Sequence, residues 1–457
     1  MLILKKYFGT DGIRRVANTG LTPELAYKVA KAGAYVLAKH ASNTPTILIG
    51  RDTRLSGNLI ESAMIAGFLS YGANVKVLGV IPTPAVAYLT KKLGADAGVV
   101  ISASHNSFEF NGIKFFSNKG MKIPDSIEEE IEEIMDSDKL NDLNASDDKI
   151  GISENKEEMI SDYEEFIIKI FEKSIKGKLS NGFKVVIDTA NGATYKIAEK
   201  IFTRLGIEFK IINNTPNGTN INKGCGSTHL EMLKEYVTSN KYNLGIAYDG
   251  DGDRCLTVDE NGNEINGDIM LAILSKYLKE ESTLKKDTVV ATVMSNLGLD
   301  IYCKNNNLNL EKTNVGDRYV LEEMLKSGYN LGGEQSGHII FLDYNPTGDG
   351  ILTSLMLIRS MVKYNKKASE LASIIDIYPQ VLVNAKVALD KKYLYKEDSE
   401  ITKMIQEVEE KLKNEGRVLI RPSGTEPLVR VMLEGKNIDK ITQYANGIAQ
   451  VIEKKSN

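Results

Sequence analysis

A chain of 457 residues is too long for one hydrophobic core, so three or four domains are expected. With 42% apolar and 26% charged residues the composition is that of an ordinary globular protein, and no apolar run approaches the roughly 20 residues needed to span a bilayer. A net charge of -4 excludes the broad basic face that a polyanion requires, so neither a nucleic acid nor a membrane is an expected partner. The segment Met1 to Phe8 has an apolar stretch too short for a signal-peptide core and no small-residue cleavage site, which predicts a cytoplasmic protein. Cys225, Cys255 and Cys303 are odd in number and widely spaced, which suits reduced thiols.

Along the chain, β-branched runs alternate with helical stretches. Thr46 to Gly50, Asn74 to Leu78 and Gly98 to Ile101 read as strands, and Leu59 to Ser70 as a helix. The acidic segment Ile127 to Met135 reads as a helix with a solvated face, and Ser153 to Lys178 as a helical connector. The pattern restarts with strands at Phe183 to Asp188, Glu208 to Ile212 and Asn243 to Tyr248. It restarts again with Thr288 to Val293, Glu311 to Thr313 and Asn330 to Gly333, with helices between. After Ala368 the texture changes: strands at Gln380 to Val387, Arg417 to Ile420 and Val429 to Leu433 combine with helices from Ser399 to Asn414 and from Ile438. The predicted fold class is α/β: three similar α/β domains with mixed sheets at 1-155, 156-256 and 257-370, then a C-terminal α+β domain at 371-457.

Four loops carry groups suited to chemistry. Ser102-Ala-Ser-His-Asn106 follows a strand, where Ser104 is exposed as a phosphoryl acceptor; G-x-S-x-G is absent, which argues against a hydrolase. Tyr248-Asp-Gly-Asp-Gly-Asp-Arg254 sets Asp249, Asp251 and Asp253 at alternate positions, able to converge on one hard cation. An EF-hand is excluded because Arg254 stands where glycine is required and the loop follows a strand. Gly332-Gly-Glu-Gln-Ser-Gly-His338 offers Glu334, Ser336 and His338 to vicinal hydroxyls such as those of a sugar. Arg421-Pro-Ser-Gly-Thr-Glu-Pro427, with Arg430 on the next strand, brings two arginines, Ser423, Thr425 and the backbone around Gly424 together as a clamp for a phosphate dianion.

In this order the four loops resemble those of the α-D-phosphohexomutase superfamily along essentially the whole chain. Phe8-Gly-Thr-Asp-Gly-Ile-Arg14, Asn220-Ile-Asn-Lys-Gly-Cys-Gly-Ser-Thr-His229, Val293-Met-Ser-Asn-Leu-Gly298, Val315-Gly-Asp-Arg318 and Gly333-Glu-Gln-Ser-Gly-His338 are most similar to its bacterial branch acting on glucosamine phosphates. The resemblance implies an active site in a central cleft, where Ser104 and the three aspartates hold one Mg2+ and a phosphoserine exchanges phosphate with a phosphosugar. The intermediate, also an activator, is a sugar 1,6-bisphosphate, and the product supplies UDP-N-acetylglucosamine synthesis. By resemblance Arg14, Lys114 and Arg254 surround the transferring phosphate, Glu334 and Ser336 contact the sugar, and His338 or Lys114 assists proton transfer. The clamp of Arg421, Ser423, Gly424, Thr425 and Arg430 takes the other phosphate. A homodimer is compatible with this reading. Two departures from the family wording are Arg15, expected beside the phosphoserine site, and Ser107. The rival readings are a sister mutase for glucose or mannose phosphates and a non-catalytic sugar-phosphate sensor.

Overall fold

The computed structural model describes residues 6–9, 11–39, 44–173, 182–413, 415–423 and 426–456. The first sheet has six strands, β1 (Ile13–Val16), β2 (Thr46–Arg51), β3 (Asn74–Val80), β4 (Ala97–Ile101), β5 (Phe110–Ser117) and β6 (Ser153–Asn155), in the order β1-β5-β4-β2-β3-β6. Its centre is parallel, and β5 and β1 are added antiparallel. Every residue of β4 is buried because the sheet is covered on both faces, which is why such strands read as continuous apolar runs. One face packs Ile47, Ile49, Val99 and Ile101 against helices Pro23–Leu37 and Gly57–Tyr71.

The second sheet contains β7 (Lys184–Asp188), β8 (Glu208–Ile212), β9 (Leu244–Tyr248), β10 (Cys255–Asp259) and β11 (Glu264–Ile265), ordered β11-β10-β9-β7-β8. The third contains β12 (Thr288–Thr292), β13 (Asn309–Thr313), β14 (Leu331–Gly333) and β15 (Ile339–Phe341), ordered β13-β12-β14-β15. One plan underlies all three. A central strand is flanked by two parallel neighbours, and the chain leaves the second of these through a loop to return as an antiparallel strand. The serine loop joins β4 to β5, the aspartate loop β9 to β10, and the glutamate loop β14 to β15, so three chemically different loops occupy one structural position.

Two expectations are corrected. Ser153–Asn155 pairs with β3 as β6, and the connector helix starts only at Ile160–Glu172, because the segment's polar residues can sit on an exposed sheet edge as readily as on a helix. The rest of the expected connector, from 174, lies outside the described residues. The break expected after 256 falls inside β10, which pairs with β9 from Cys255 to Asp259, since a hairpin partner stays in its sheet.

The chain forms two compact units, Met1–Met294 with Leu308–Ile374, and Ser295–Asn307 with Ile375–Asn457. The second is built on β16 (Gln380–Lys386), β17 (Gly416–Pro422) and β18 (Leu428–Gly435), antiparallel in the order β16-β18-β17. Val429, Val431 and Leu433 alternate inward against helices Ser399–Leu412 and Ile438–Ser456. Alternation turns Arg421 and Arg430 to the other face of this sheet.

Candidate active site

The exposure expected of Ser104 is corrected: the aspartate loop and Asn222 pack on it and leave it 2% exposed, and its backbone takes a left-handed φ of 51°. Its carbonyl accepts Arg54 Nη2 at 2.9 Å and Asn222 Nδ2 at 2.8 Å, and its N–H donates to Ser102 Oγ at 2.9 Å. Arg54 also donates to the carbonyls of Asn106, Ser107 and Phe110, so one guanidinium binds the loop from beneath. Asp52 holds Arg54 at 2.8 Å, both fully buried, and accepts Ser102 Oγ at 2.6 Å. Held this way, Ser104 Oγ donates to Asp249 Oδ2 at 2.7 Å and lies 3.2 Å from His105 Nδ1. Burial, together with Arg254 and Arg14, lowers the His105 pKa to about 4, leaving a neutral ring.

Asp249, Asp251 and Asp253 are buried, and each offers a carboxylate oxygen within 4.8 Å of the others. Gly250 makes the approach possible: a Cβ there would stand 2.5 Å from the Ser104 carbonyl oxygen. Asp251 Oδ2 accepts Thr83 Oγ1 at 2.7 Å and Lys114 Nζ at 3.2 Å. Burial and the neighbouring Asp253 and Asp251 hold the Asp249 carboxyl well above the usual carboxylate range. At Asp253 burial acts in the same sense, but Lys114, His338 and Arg254 outweigh it and hold the carboxyl below its ordinary value. Asp251 Oδ1 and Asp253 Oδ1 are buried without a hydrogen-bond partner among the described residues. Three converging carboxylates, two of them with an unpartnered oxygen, fit a hard divalent cation.

Lys114, on β5, is 2% exposed and reaches Asp11 at 3.0 Å, Asp251 at 3.2 Å and Asp253 at 3.6 Å. Burial alone would lower its pKa, yet these carboxylates raise it and keep an ammonium there. Arg14 contacts Asp11 at 2.7 Å and Asn106 Oδ1 at 3.5 Å, at the edge of the serine loop. Arg15, its neighbour on β1, points the other way, donating to the Lys6 carbonyl and lying over the Tyr7 ring. The expected place of Arg15 beside the phosphoserine site is therefore corrected by the two-residue alternation of a strand. Ser107 meets Arg54 through its carbonyl.

The glutamate loop is tied to the aspartate loop by the Cys255 N–H, which donates to the Gly337 carbonyl at 3.0 Å. Gly337 has φ of 90°, and a Cβ would stand 2.3 Å from the Cys255 carbonyl oxygen. Arg254 and Ser336 are half-buried, as is Glu334, whose carboxyl is pushed up by burial and by Asp317. His338 Nε2 accepts the Gly348 N–H at 3.0 Å, which puts the ring proton on Nδ1, 3.6 Å from Asp253 Oδ1. Nε2 is thus engaged by Gly348, while Nδ1 faces Asp253 Oδ1 at ion-pair distance, which sets His338 at the border of the aspartate loop.

In the second unit, Arg421 and Arg430 are direct cross-strand partners on β17 and β18, where like charges repel. Burial and Arg430 lower the Arg421 pKa. Arg430 contacts Glu426 at 3.2 Å, and buried Ser423 lies beside them, accepting the Glu426 N–H at 3.3 Å. Gly424 and Thr425 lie outside the described residues.

Within the first unit, the residues expected around the serine and the aspartates come together. The sequence reading missed their supports: Asp11, Asp52, Arg54, Thr83, His105, Lys122, Asn222 and Asp317. Asp11, Asn222 and Asp317 lie inside segments that carried the family resemblance, but Asp52 and Arg54, in a loop, and Thr83, at the start of helix Thr83–Lys92, lie where there was no such signal.

Four family models match in succession: Phosphoglucomutase/phosphomannomutase alpha/beta/alpha domain I at residues 5–142, domain II at 161–262, domain III at 266–378 and the C-terminal domain at 382–451. The chain belongs to the phosphoglucomutase/phosphomannomutase family, within the α-D-phosphohexomutase superfamily. More particularly, it is 55% identical over 448 residues to the phosphoglucosamine mutase of Ruminiclostridium cellulolyticum, covering 98% of this chain and 99% of that one. It is 56% identical over 452 residues to the phosphoglucosamine mutase of Clostridium beijerinckii, covering 99% and 100%. The fold matches a phosphoglucomutase/phosphomannomutase family protein of Burkholderia thailandensis with a TM-score of 0.79 at 21% identity, over 100% of this chain and 99% of that one. It also matches Aspergillus fumigatus N-acetylphosphoglucosamine mutase, solved with GlcNAc-6P and magnesium, with a TM-score of 0.70 at 16% identity, over 99% and 96%.

Proposed function

We propose that this chain interconverts glucosamine 6-phosphate and glucosamine 1-phosphate as an intramolecular phosphotransferase. Ser104 carries the phosphoryl group, and glucosamine 1,6-bisphosphate is the intermediate. The observation that carries the reading is Ser104 Oγ hydrogen-bonded to Asp249, within a buried triad of aspartates bordered by Lys114. Phosphoserine gives its phosphoryl group to a sugar hydroxyl, the Oγ–P bond breaking as the sugar O–P bond forms; after the bisphosphate turns around, its other phosphate returns to Ser104.

Asp249, Asp251 and Asp253, with a phosphoserine oxygen, would hold one Mg2+, which supplies charge neutralisation at the transferring group. Arg14, Lys114 and Arg254 add fixed positive charge at that end. Glu334 and Ser336 hold sugar hydroxyls. His338, beside Asp253, or Lys114 assists transfer of the accepting hydroxyl's proton. Arg421, Ser423 and Arg430 recognise a phosphate alone, which lets one clamp read the 1- and 6-phosphate alike. Among the described residues no helix is long and apolar enough to cross a membrane, and a phosphosugar mutase of this kind belongs in the cytoplasm.

Purified protein, primed with sugar bisphosphate, should convert glucosamine 6-phosphate with a higher kcat/KM than it shows for glucose 1-phosphate or mannose 1-phosphate. Intact mass should show one phosphoryl group that Ser104→Ala loses. A clear preference for mannose 1-phosphate would move the chain to the sister activity, and no turnover of any of them would leave a sensor.

A further inference from the structure

Asp11 belongs to the first sequence motif, but its carboxylate is spent inside the protein. Oδ2 accepts Arg14 Nη2 at 2.7 Å and Lys114 Nζ at 3.0 Å, while Oδ1 accepts Lys122 Nζ at 2.5 Å. Lys122 follows β5, with only 14% of its side chain exposed, and its ammonium makes a second ion pair with Asp317. Asp317 opens helix Asp317–Ser327, and its Oδ2 stands 3.6 Å from His338 Nε2. From His338 the contacts return through Asp253 and Lys114 to Asp11. The result is a closed circuit of contacts, its charge alternating from Lys114 through Asp11 and Lys122 to Asp317, that joins β1, β5, the aspartate loop, the glutamate loop and a helix of the third repeat. Among the described residues, Lys122 reaches the reacting end through Asp11 and Asp317.

Its place in the circuit matters because Arg14 and Lys114 have two claimants. A carboxylate about 3 Å from a cation, as Asp11 is from the buried Lys114, competes with a phosphate for the same charge. Without Lys122, both oxygens of Asp11 would have only Arg14 and Lys114 to turn to, and Asp317 would lose its ammonium partner beneath His338. We infer that Lys122 is a positioning residue for phosphoryl transfer, holding Asp11 and Asp317 together so that Arg14 and Lys114 can serve the phosphoryl group while the glutamate loop stays docked. This rests on the phosphoryl-transfer reading above.

The test uses the full chain with Lys122→Met, Lys122→Arg and the double variant Lys122→Met/Asp317→Asn, which removes both charges of the pair if the single variant folds poorly. Lys122→Met should lower kcat roughly 10–100-fold, the range for groups that orient active residues, with KM for glucosamine 6-phosphate changed much less. Lys122→Arg should recover most of the rate, because the charge and both partners are kept. Hydrogen exchange at the amides of residues 334–338 should quicken in Lys122→Met and not in Lys122→Arg. An unchanged kcat in the Met and double variants, or an Arg variant as impaired as Met, would overturn the inference. If the wild type turned over no phosphosugar, the functional reading would fall, and the exchange rates would decide the tie on their own.

Discussion

A serine at left-handed φ is held there against its own preference, and Ser104 is held by Arg54 and Asn222 through its carbonyl. The backbone grip is independent of the hydroxyl, so Ser104→Ala should fold like the wild type while mutase turnover falls below roughly a hundredth. Thermal unfolding and a rate assay on one preparation check both halves. A second buried group sets a pH dependence. Asp349 caps helix Gly350–Tyr364, taking the Leu352 N–H at 3.0 Å and the Tyr163 hydroxyl at 2.8 Å. Burial pushes its carboxyl up to about 6 against these opposing bonds. A raised folded-state pKa means the stability this group contributes is complete below its unfolded value of about 3.9 and is lost as pH rises through about 6. Asp349→Asn keeps an oxygen for the cap and cannot ionise. Its stability relative to wild type should therefore rise across that interval by something on the order of 2 kcal/mol, measured by urea unfolding at a series of pH values. A difference that stays flat with pH would show that Asp349 does not titrate this way.

Among elements, the loop that leads into the antiparallel return strand of each α/β repeat carries the chemistry, and its supports come from elsewhere in the chain. Arg54 lies on the loop after β2 and touches four carbonyls of the serine loop, so Arg54→Met should leave Asp52 as an uncompensated buried charge. Denaturant unfolding should show a loss of about 3–5 kcal/mol, and Arg54→Lys, which keeps charge without the fork, should fall between. These elements also show what a sequence can display. Thr46–Ile49 and Thr288–Thr292 were legible because a strand covered on both faces is apolar throughout. The glycine-spaced aspartates were legible because their convergence is local. Ser153–Asn155 was not, since an exposed edge strand is polar and short. Arg54 was not, because its partners lie some 50 residues on, and Arg15 was misplaced because β1 had not been recognised as a strand.

For the molecule as a whole, the charge arrangement means that a cation held by the triad, as proposed, would act structurally as well as catalytically. Three buried carboxylates within 4.8 Å repel one another, and a cation bound there stabilises the folded state by mass action. Chelation with EDTA should abolish turnover and lower the thermal midpoint, and added Mg2+ should restore both. Asp251→Asn should weaken Mg2+ binding and narrow the difference between the two midpoints. A midpoint indifferent to Mg2+, with activity surviving EDTA, would mean the triad holds no ion.

The facing arginines of the second unit make the buffer a reagent. With Arg421 and Arg430 opposed across β17 and β18, the proposed clamp would also take orthophosphate from solution. Assays run in phosphate should therefore report an inflated KM for the sugar phosphate together with a raised melting temperature. Both effects should vanish on exchange into a chloride buffer of equal ionic strength, and both should be lost in Arg421→Ala.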